Sequence, residues 1–434
     1  MTARRRFYGW PLVSIGFLLY GLGIAPAYYS WGFIAPAMID DIDLTREQIG
    51  GIFGAFTLTF SLVGPLAAWS IRRVGLRVTI TAGALIAALG FGLVSVAESV
   101  AGLYLSFAVL GGVGIGLSTG MPTQILAVYW FRRYRARAIA IMWVGAAIVG
   151  ALVNPFDAWL LARWGWRTAW VVVASISVLV AAIGAVFVRE RPEDLGQLPD
   201  GADPDRLGDG ATPAANGAGS GASIRSARVA ITTPAGRWTA AAALRTPQFL
   251  IATFAVLANA VSWRVLTAHG RLHFEDLGFT PTVAAAILGV RVGVSAFGRL
   301  SGSLGDLLAP TRVLATALTI NGLGLAGLVF ATTAPLAYLC VILIGVGYGA
   351  AYVNEPVVFA HFFGRAAFVG TAGVRVLIIG VAGWLAPAMA GAAADRTGSY
   401  QGPIFALAAM SWLGALAILV CRHPGAGRPS TELT

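Results

Sequence analysis

Lysine is missing from all 434 residues, so every one of the 30 basic side chains is an arginine. Acids are fewer still, at 19, and charged residues reach only 11% of the chain, against about 25% in a soluble protein. That is too little charge to cover a water-exposed surface. Cysteine is nearly absent. Cys340 lies inside an apolar segment and Cys421 at the end of the last one, so both read as packing residues and no disulfide is expected. No P-loop, metal-ligand cluster or nucleophile elbow occurs. An ATP-driven pump is thereby disfavoured, an enzyme has almost no support, and no cofactor is implied. The formal charge of +11 does not point to nucleic acid, because the arginines gather in loops on one side of the apolar segments.

What the chain has in abundance is apolar length and glycine: 57% hydrophobic residues and 55 glycines. Glycine suits helices that pack closely in lipid. Twelve apolar segments of membrane-spanning length follow one another. They cover 8–36, 47–71, 78–98, 101–130, 138–161, 168–188, 248–272, 281–303, 311–333, 336–361, 367–391 and 402–421. The opening MTARRR and its apolar run look like the first half of a signal peptide. No small-residue cleavage site follows, so the run reads as a retained first span.

The arginines set the expected orientation. Arg4–Arg6, Arg72, Arg73, Arg77, Arg132, Arg133, Arg135, Arg137, Arg189, Arg191, Arg312, Arg365, Arg422 and Arg428 fall on one side, whereas an opposite loop carries Asp40, Asp41 and Asp43. The positive-inside rule then puts both termini in the cytoplasm of a cell (inner) membrane protein.

The segments divide six and six. Residues 1–188 form an N-terminal bundle and 247–434 a C-terminal one. Residues 189–246 form a cytoplasmic linker, largely flexible because DGADPDRLGDGATPAANGAGSGAS cannot bury a core. Its end, GRWTAAAALRTPQF, suggests a short interfacial helix anchored by Trp238. The halves repeat: GVGIG (112–116) matches GVGYG (345–349), each followed by a proline, Pro122 or Pro356, then aromatics and arginine. The expected architecture is all-α, two pseudo-symmetric six-helix bundles with a substrate site between them.

The chemistry concentrates in 284–306, AAAILGVRVGVSAFGRLSGSLGD. Arginine inside a membrane segment is costly and by default functional. Arg291, Ser295 and Arg299 form a slowly turning polar stripe. Arg264 and Arg375 bring the helical arginines to four, against two buried acid candidates, Glu355 and Asp157. Surplus guanidinium recruits anions and grips a carboxylate with two hydrogen bonds. Each has a plainer alternative: a partner for Asp306 (Arg299), a salt bridge with Glu355 (Arg291), helix packing (Arg264), a gate or snorkelling (Arg375). Glu355, beside the helix-breaking Pro356, is a candidate to carry a coupling proton, or else a permanent ion-pair partner. His269 is a second proton candidate, or a hydrogen-bonding or surface residue. Tyr20, Tyr28, Tyr29, Tyr348 and Tyr352 offer hydroxyls and aromatic walls, or simple packing. Tyr348 and Tyr352 share one helix face.

Outside the linker the sequence resembles the major facilitator superfamily. Its loop motif, G-x-L-x-D-R-x-G-R-R, is matched after the eighth segment by Gly302, Leu304, Asp306 and, further on, Arg312. After the second segment AWSIRRVGLR keeps Arg73, Gly75 and Arg77, with Arg72 where the acid is expected. The motif is thought to brace the cytoplasmic gate, and this departure weakens one latch between the halves. FYGWPLV (7–13), RERPEDLGQLPDG (189–201) and HGRLHFEDLGFTPTVAAA (269–286) resemble the monocarboxylate and oxalate/formate branch. The resemblance implies that Arg299 holds a substrate carboxylate and that His269 matches a helix-7 histidine of bacterial members. The family's helix-1 lysine has no counterpart, with Tyr28 near its place. Ser295 stands for an aspartate, and Ile379 lies near the place of the oxalate exchangers' lysine, so a dicarboxylate clamped by arginine and lysine is disfavoured. Together these readings lead to the expectation of a monomeric secondary transporter of a small organic anion, a monocarboxylate, moved with a proton through the lipid bilayer. An exporter of drugs or other amphipathic solutes, or a non-transporting sensor or scaffold, are the alternatives.

Overall fold

The fold is that of a computed structural model, which describes residues 7–201, 238–300 and 308–424. The middle of the expected linker and the motif residues Gly302, Leu304 and Asp306 lie outside the described residues. The described residues contain helices and no strand.

Among the described residues, ten helices are long and apolar enough to cross a membrane, or eleven with the pair Arg46–Leu62 and Gly64–Val74, bent by 45°, taken as one span. One of these spans holds two helices, because Arg135–Phe187 breaks at Gly165, where φ is +74°. A left-handed residue inside a helix run needs glycine, and Gly165 turns the chain back. The same device at Gly364, φ +74°, divides Ala334–Thr397. Twelve helices result. We label them α1 (Gly9–Ile42), α2 (46–74), α3 (Leu76–Val94), α4 (Val100–Trp130), α5 (135–164) and α6 (166–187). The second half holds α7 (Pro247–Asp276), α8 (Pro281–Leu300), α9 (Pro310–Leu328), α10 (334–363), α11 (365–397) and α12 (Gln401–Val420). The ends of the expected spans match these to within six residues. The short helix expected before the seventh span is Ala240–Leu244, and Trp238 packs edge-on against Phe363, ring centres 5.7 Å apart.

The start of α1 and the end of α12 lie at one end of the bundle, here the terminal end; the other is the far end. Glycine decides where the halves meet. A Cβ on Gly32 of α1 would overlap the Thr267 carbonyl of α7. On α2, Gly50 and Gly54 sit against the Pro387 and Trp384 carbonyls of α11, and Gly391 of α11 sits against the Arg46 carbonyl. On α8, Gly289 sits against the Ala151 carbonyl of α5. That carbonyl is free of its usual helix partner because Pro155, four residues on, has no N–H. The α2–α11 and α8–α5 contacts are equivalent under the internal repeat, so the interface follows a pseudo-two-fold axis. Most of these approaches lie towards the far end, which is closed.

Polar contacts seal that end. Thr45 and Gln48 form a capping box, which satisfies the first and last N–H groups of the opening turn of α2. The two between, on Arg46 and Glu47, donate to the Asp395 carboxylate of α11 at 3.1 and 2.9 Å. The Arg46 side chain bonds both oxygens of Asp276 on α7, at 2.5 and 2.8 Å, and lies 5.1 Å from the Tyr400 ring centre. Arg271 donates to the Phe33 carbonyl. Asp395→Ala leaves two helix-end donors without a partner. The expected loss is roughly 1 kcal/mol, the usual value of a helix cap, and the first-turn amides of α2 should exchange with solvent about five- to tenfold faster. Unchanged hydrogen exchange there would mean that Asp395 does not hold the far end.

At the terminal end the chain after α6 docks under the first half. The Tyr8 N–H donates to Gln197, and the N–H groups of Arg132 and Arg133 donate to Asp200.

Candidate functional site

Aromatic rings from both halves form a continuous column between them. Tyr20 of α1 stacks on Trp143 of α5 at 5.5 Å. Trp143 meets Tyr352 of α10 at 6.4 Å. Tyr352 stacks on Tyr348, one turn away, at 5.8 Å. Tyr348 stacks on Trp263 of α7 at 3.8 Å, and Trp263 reaches back to Tyr29 of α1 at 6.5 Å. Tyr28 stands edge-on to Tyr29 and to Phe53. Tyr20, Tyr28, Tyr348, Tyr352 and Trp143 each keep partial exposure.

Three arginines are set into this column. The Arg299 guanidinium lies 5.4 Å from the Tyr352 ring centre and donates to the Trp143 carbonyl of the other half at 3.5 Å. It keeps partial exposure. Arg291, only 1% exposed, lies 4.1 Å from the Trp263 ring centre. It donates to Thr267 Oγ1 at 2.9 Å and to the Trp263 carbonyl at 3.4 Å. Arg264 is partly exposed, lies beside Tyr28, and occupies space that any side chain at Gly383 would take. A ring face attracts a cation, by about 2 kcal/mol or more when desolvated. It does not neutralise the charge. Among the described residues no carboxylate forms a salt bridge with any of these three arginines; Glu355, paired with Arg375, is near enough to act on Arg264, and an anion between the halves still meets a surplus of positive charge.

The remaining expected residues have different surroundings. Glu355 pairs with Arg375 of α11 at 3.6 Å, not with Arg291, and Arg375 lies 4.2 Å from the Phe359 ring centre. His269 is 2% exposed and away from the column. Its Nε2 lies 2.8 Å from the Pro387 carbonyl and its Nδ1 3.0 Å from the Tyr400 hydroxyl. A carbonyl only accepts, so Nε2 carries the proton and Nδ1 accepts from Tyr400. Gly75 has φ +85° between α2 and α3. The acid facing that loop is Glu190, just past the end of α6, which accepts the Arg77 N–H at 3.1 Å. Arg73 and Arg312 are exposed.

Trp143 and Trp263 were not among the expected residues. The available signal was their depth, since tryptophan in a spanning helix usually lies at the membrane interface, and these two lie well inside.

Residues 13–371 match the family model of the Major Facilitator Superfamily. The chain belongs to this superfamily. It is therefore a multi-pass membrane transporter with a small-molecule substrate. Monocarboxylate transporter 13 of Rattus norvegicus is 27% identical over 423 residues, 96% of this chain and 89% of that one. The hexuronate transporter of Bacillus subtilis (strain 168) is 25% identical over 417 residues, 91% of this chain and 90% of that one. Among solved structures, a bacterial homolog to the human lysosomal transporter Spinster, inward-facing and unoccupied, superposes with a TM-score of 0.71 at 18% identity. The match covers 95% of this transporter and 98% of that chain. The twelve-helix architecture is thus the superfamily's own.

Proposed function

We propose that this transporter moves a small organic anion, a monocarboxylate, together with a proton, by exposing a site between its halves alternately to each side. Arg299 is the residue that carries the reading. It is partly exposed between the halves, ties α8 to the Trp143 carbonyl, and has no acid partner among the described residues. A guanidinium there offers a carboxylate two parallel hydrogen bonds. Arg264 and the buried Arg291 add positive potential, and the rings of Tyr20, Trp143, Tyr348 and Tyr352 offer an apolar wall to the substrate's tail. The names of the two relatives agree with this chemistry, since monocarboxylates and hexuronates share a carboxylate. The pair Glu355–Arg375 fits a part in the conformational cycle. The reading includes a monomer with residues 1–188 and 247–434 as its two halves and both termini in the cytoplasm of the cell (inner) membrane.

Purified transporter in vesicles, given a panel of labelled carboxylates and an imposed pH gradient, tests this. Accumulation of a short monocarboxylate on the alkaline side is expected. Movement of a cationic dye with no carboxylate moving would exclude the proposal and favour an exporter.

A further inference from the structure

Asp157 stands apart from every other acid in the described residues. It lies on α5 about two turns from the far end and is 1% exposed. One carboxyl oxygen, Oδ2, is buried with no hydrogen-bond partner. Its polar neighbour is Ser30 of α1. Among the described residues no arginine pairs with it.

The charged and titratable groups of the surrounding helices point elsewhere. On α1, Tyr29 packs against Trp263, Val153 and Val292. On α8, Arg291 is turned to Trp263 and Thr267. On α5 itself, Arg163 is exposed over the Trp159 ring. On α6, Arg167 pairs with Asp41 at 2.9 Å. A carboxylate buried without a cation and without its full set of hydrogen bonds is strongly disfavoured, whereas the neutral acid is tolerated.

Its place in the fold gives that preference a consequence. Asp157 is two residues beyond Pro155, where α5 packs on Gly289 of α8, and its neighbour Ser30 is two residues before Gly32, where α1 packs on Thr267 of α7. These are the contacts between the halves that must part for the far end to open. Opening brings water to Asp157; closing removes it.

We propose that Asp157 is the proton-binding site of the transport cycle: it takes a proton from the far side when that end opens, must be neutral for that end to close, and gives the proton up by way of the Ser30 hydroxyl to the space between the halves, and so to the terminal side, before the far end reopens. The proposal rests on the reading of the protein as a proton-coupled carboxylate transporter. The other candidates already have partners: Glu355 has Arg375, and both nitrogens of His269 are engaged. Because a charged Asp157 opposes closure, a transporter carrying anion without proton is held back on the open side, which is what couples the two fluxes.

The test separates exchange from accumulation. Wild-type transporter in vesicles is given labelled lactate, first with unlabelled lactate inside and no gradient, then with a gradient of one pH unit and no internal lactate. One-for-one coupling predicts about tenfold accumulation in the second assay. Asp157→Asn, neutral at every pH, is expected to keep exchange and lose accumulation. An Asn variant that still accumulates lactate about tenfold overturns the proposal. Failure of the wild type to exchange lactate or any other carboxylate instead removes the reading beneath it. Should the Asn variant not fold, dicyclohexylcarbodiimide, which attacks protonated carboxyls in apolar surroundings, gives a second readout on the wild type. Label at Asp157, mapped by mass spectrometry and falling as pH rises, is expected; label on other acids with none at Asp157 at any pH overturns it.

Discussion

Arg299→Ala is expected to lower uptake of a short monocarboxylate by roughly 30-fold to a few thousand-fold. The lower and upper figures correspond to about 2 and 5 kcal/mol, the range for losing one member of a buried, hydrogen-bonded charge pair. The reason is geometric. Among the arginines of the aromatic column, Arg299 touches both halves through Trp143 and Tyr352 and keeps part of its surface free. Arg299→Lys separates charge from shape. Lysine keeps the charge but lacks the planar fork and stacks less well on Tyr352, so it should recover only part of the rate. Initial rates of labelled uptake read both variants. Unchanged uptake in the alanine variant would move the site to Arg264 or Arg291. Arg291 is the weaker candidate for direct contact, because its guanidinium is sealed against Trp263 and Thr267. Its charge still acts on the site, since no acid beside it cancels it.

The second large effect is expected from one methyl-bearing side chain at the far end. Gly32→Val puts atoms where the Thr267 carbonyl stands. Backbone cannot yield as a flexible side chain does, so α1 and α7 must separate. The far-end-closed state should then become rare. Net uptake is expected to fall below detection while the protein still binds substrate, because Arg299 and its contacts with Tyr352 of α10 and Trp143 of α5 involve neither α1 nor α7. Spin labels on the far ends of α2 and α11 would report the distance between the halves. The variant should show the long distance alone, where the wild type populates the short one. A wild-type distance distribution together with normal uptake would show that the α1–α7 contact is not the point of closure.

These two expectations draw on different kinds of information. The twelve spans were legible because membrane length and apolar composition leave few alternatives. The turns at Gly165 and Gly364 coincide with the expected breaks between segments. Partner choice was not legible. Glu355 was open to Arg291 or to another arginine, and it meets Arg375. The reason is that these helices are apolar on nearly every face, so no periodic stripe reveals which side of α10 faces α11. Facing is set by glycine pairs such as Gly50 with Pro387 and Gly289 with Ala151, whose meaning appears only once the helices are packed. His269 shows the same limit. A lone histidine in α7 fits many roles, and its place between Tyr400 and the Pro387 carbonyl depends on α11 and α12, over a hundred residues away. The latch of Asp395 on the first turn of α2 joins residues 46 and 395 and has no local signature at all. The surplus of arginine, by contrast, was visible as composition. It persists in the fold because the acids that could neutralise Arg264, Arg291 and Arg299 are engaged elsewhere or lie outside the described residues.

In the proposed function, positive charge between the halves selects a carboxylate. Counterflow into vesicles preloaded with unlabelled lactate tests it most directly, comparing labelled lactate with its uncharged amide, of nearly the same size and shape. Rapid exchange of the acid is expected, with entry of the amide above the rate in empty vesicles at least about 100-fold slower, in line with about 3 kcal/mol for a charge-assisted pair. Equal transport of acid and amide would contradict it.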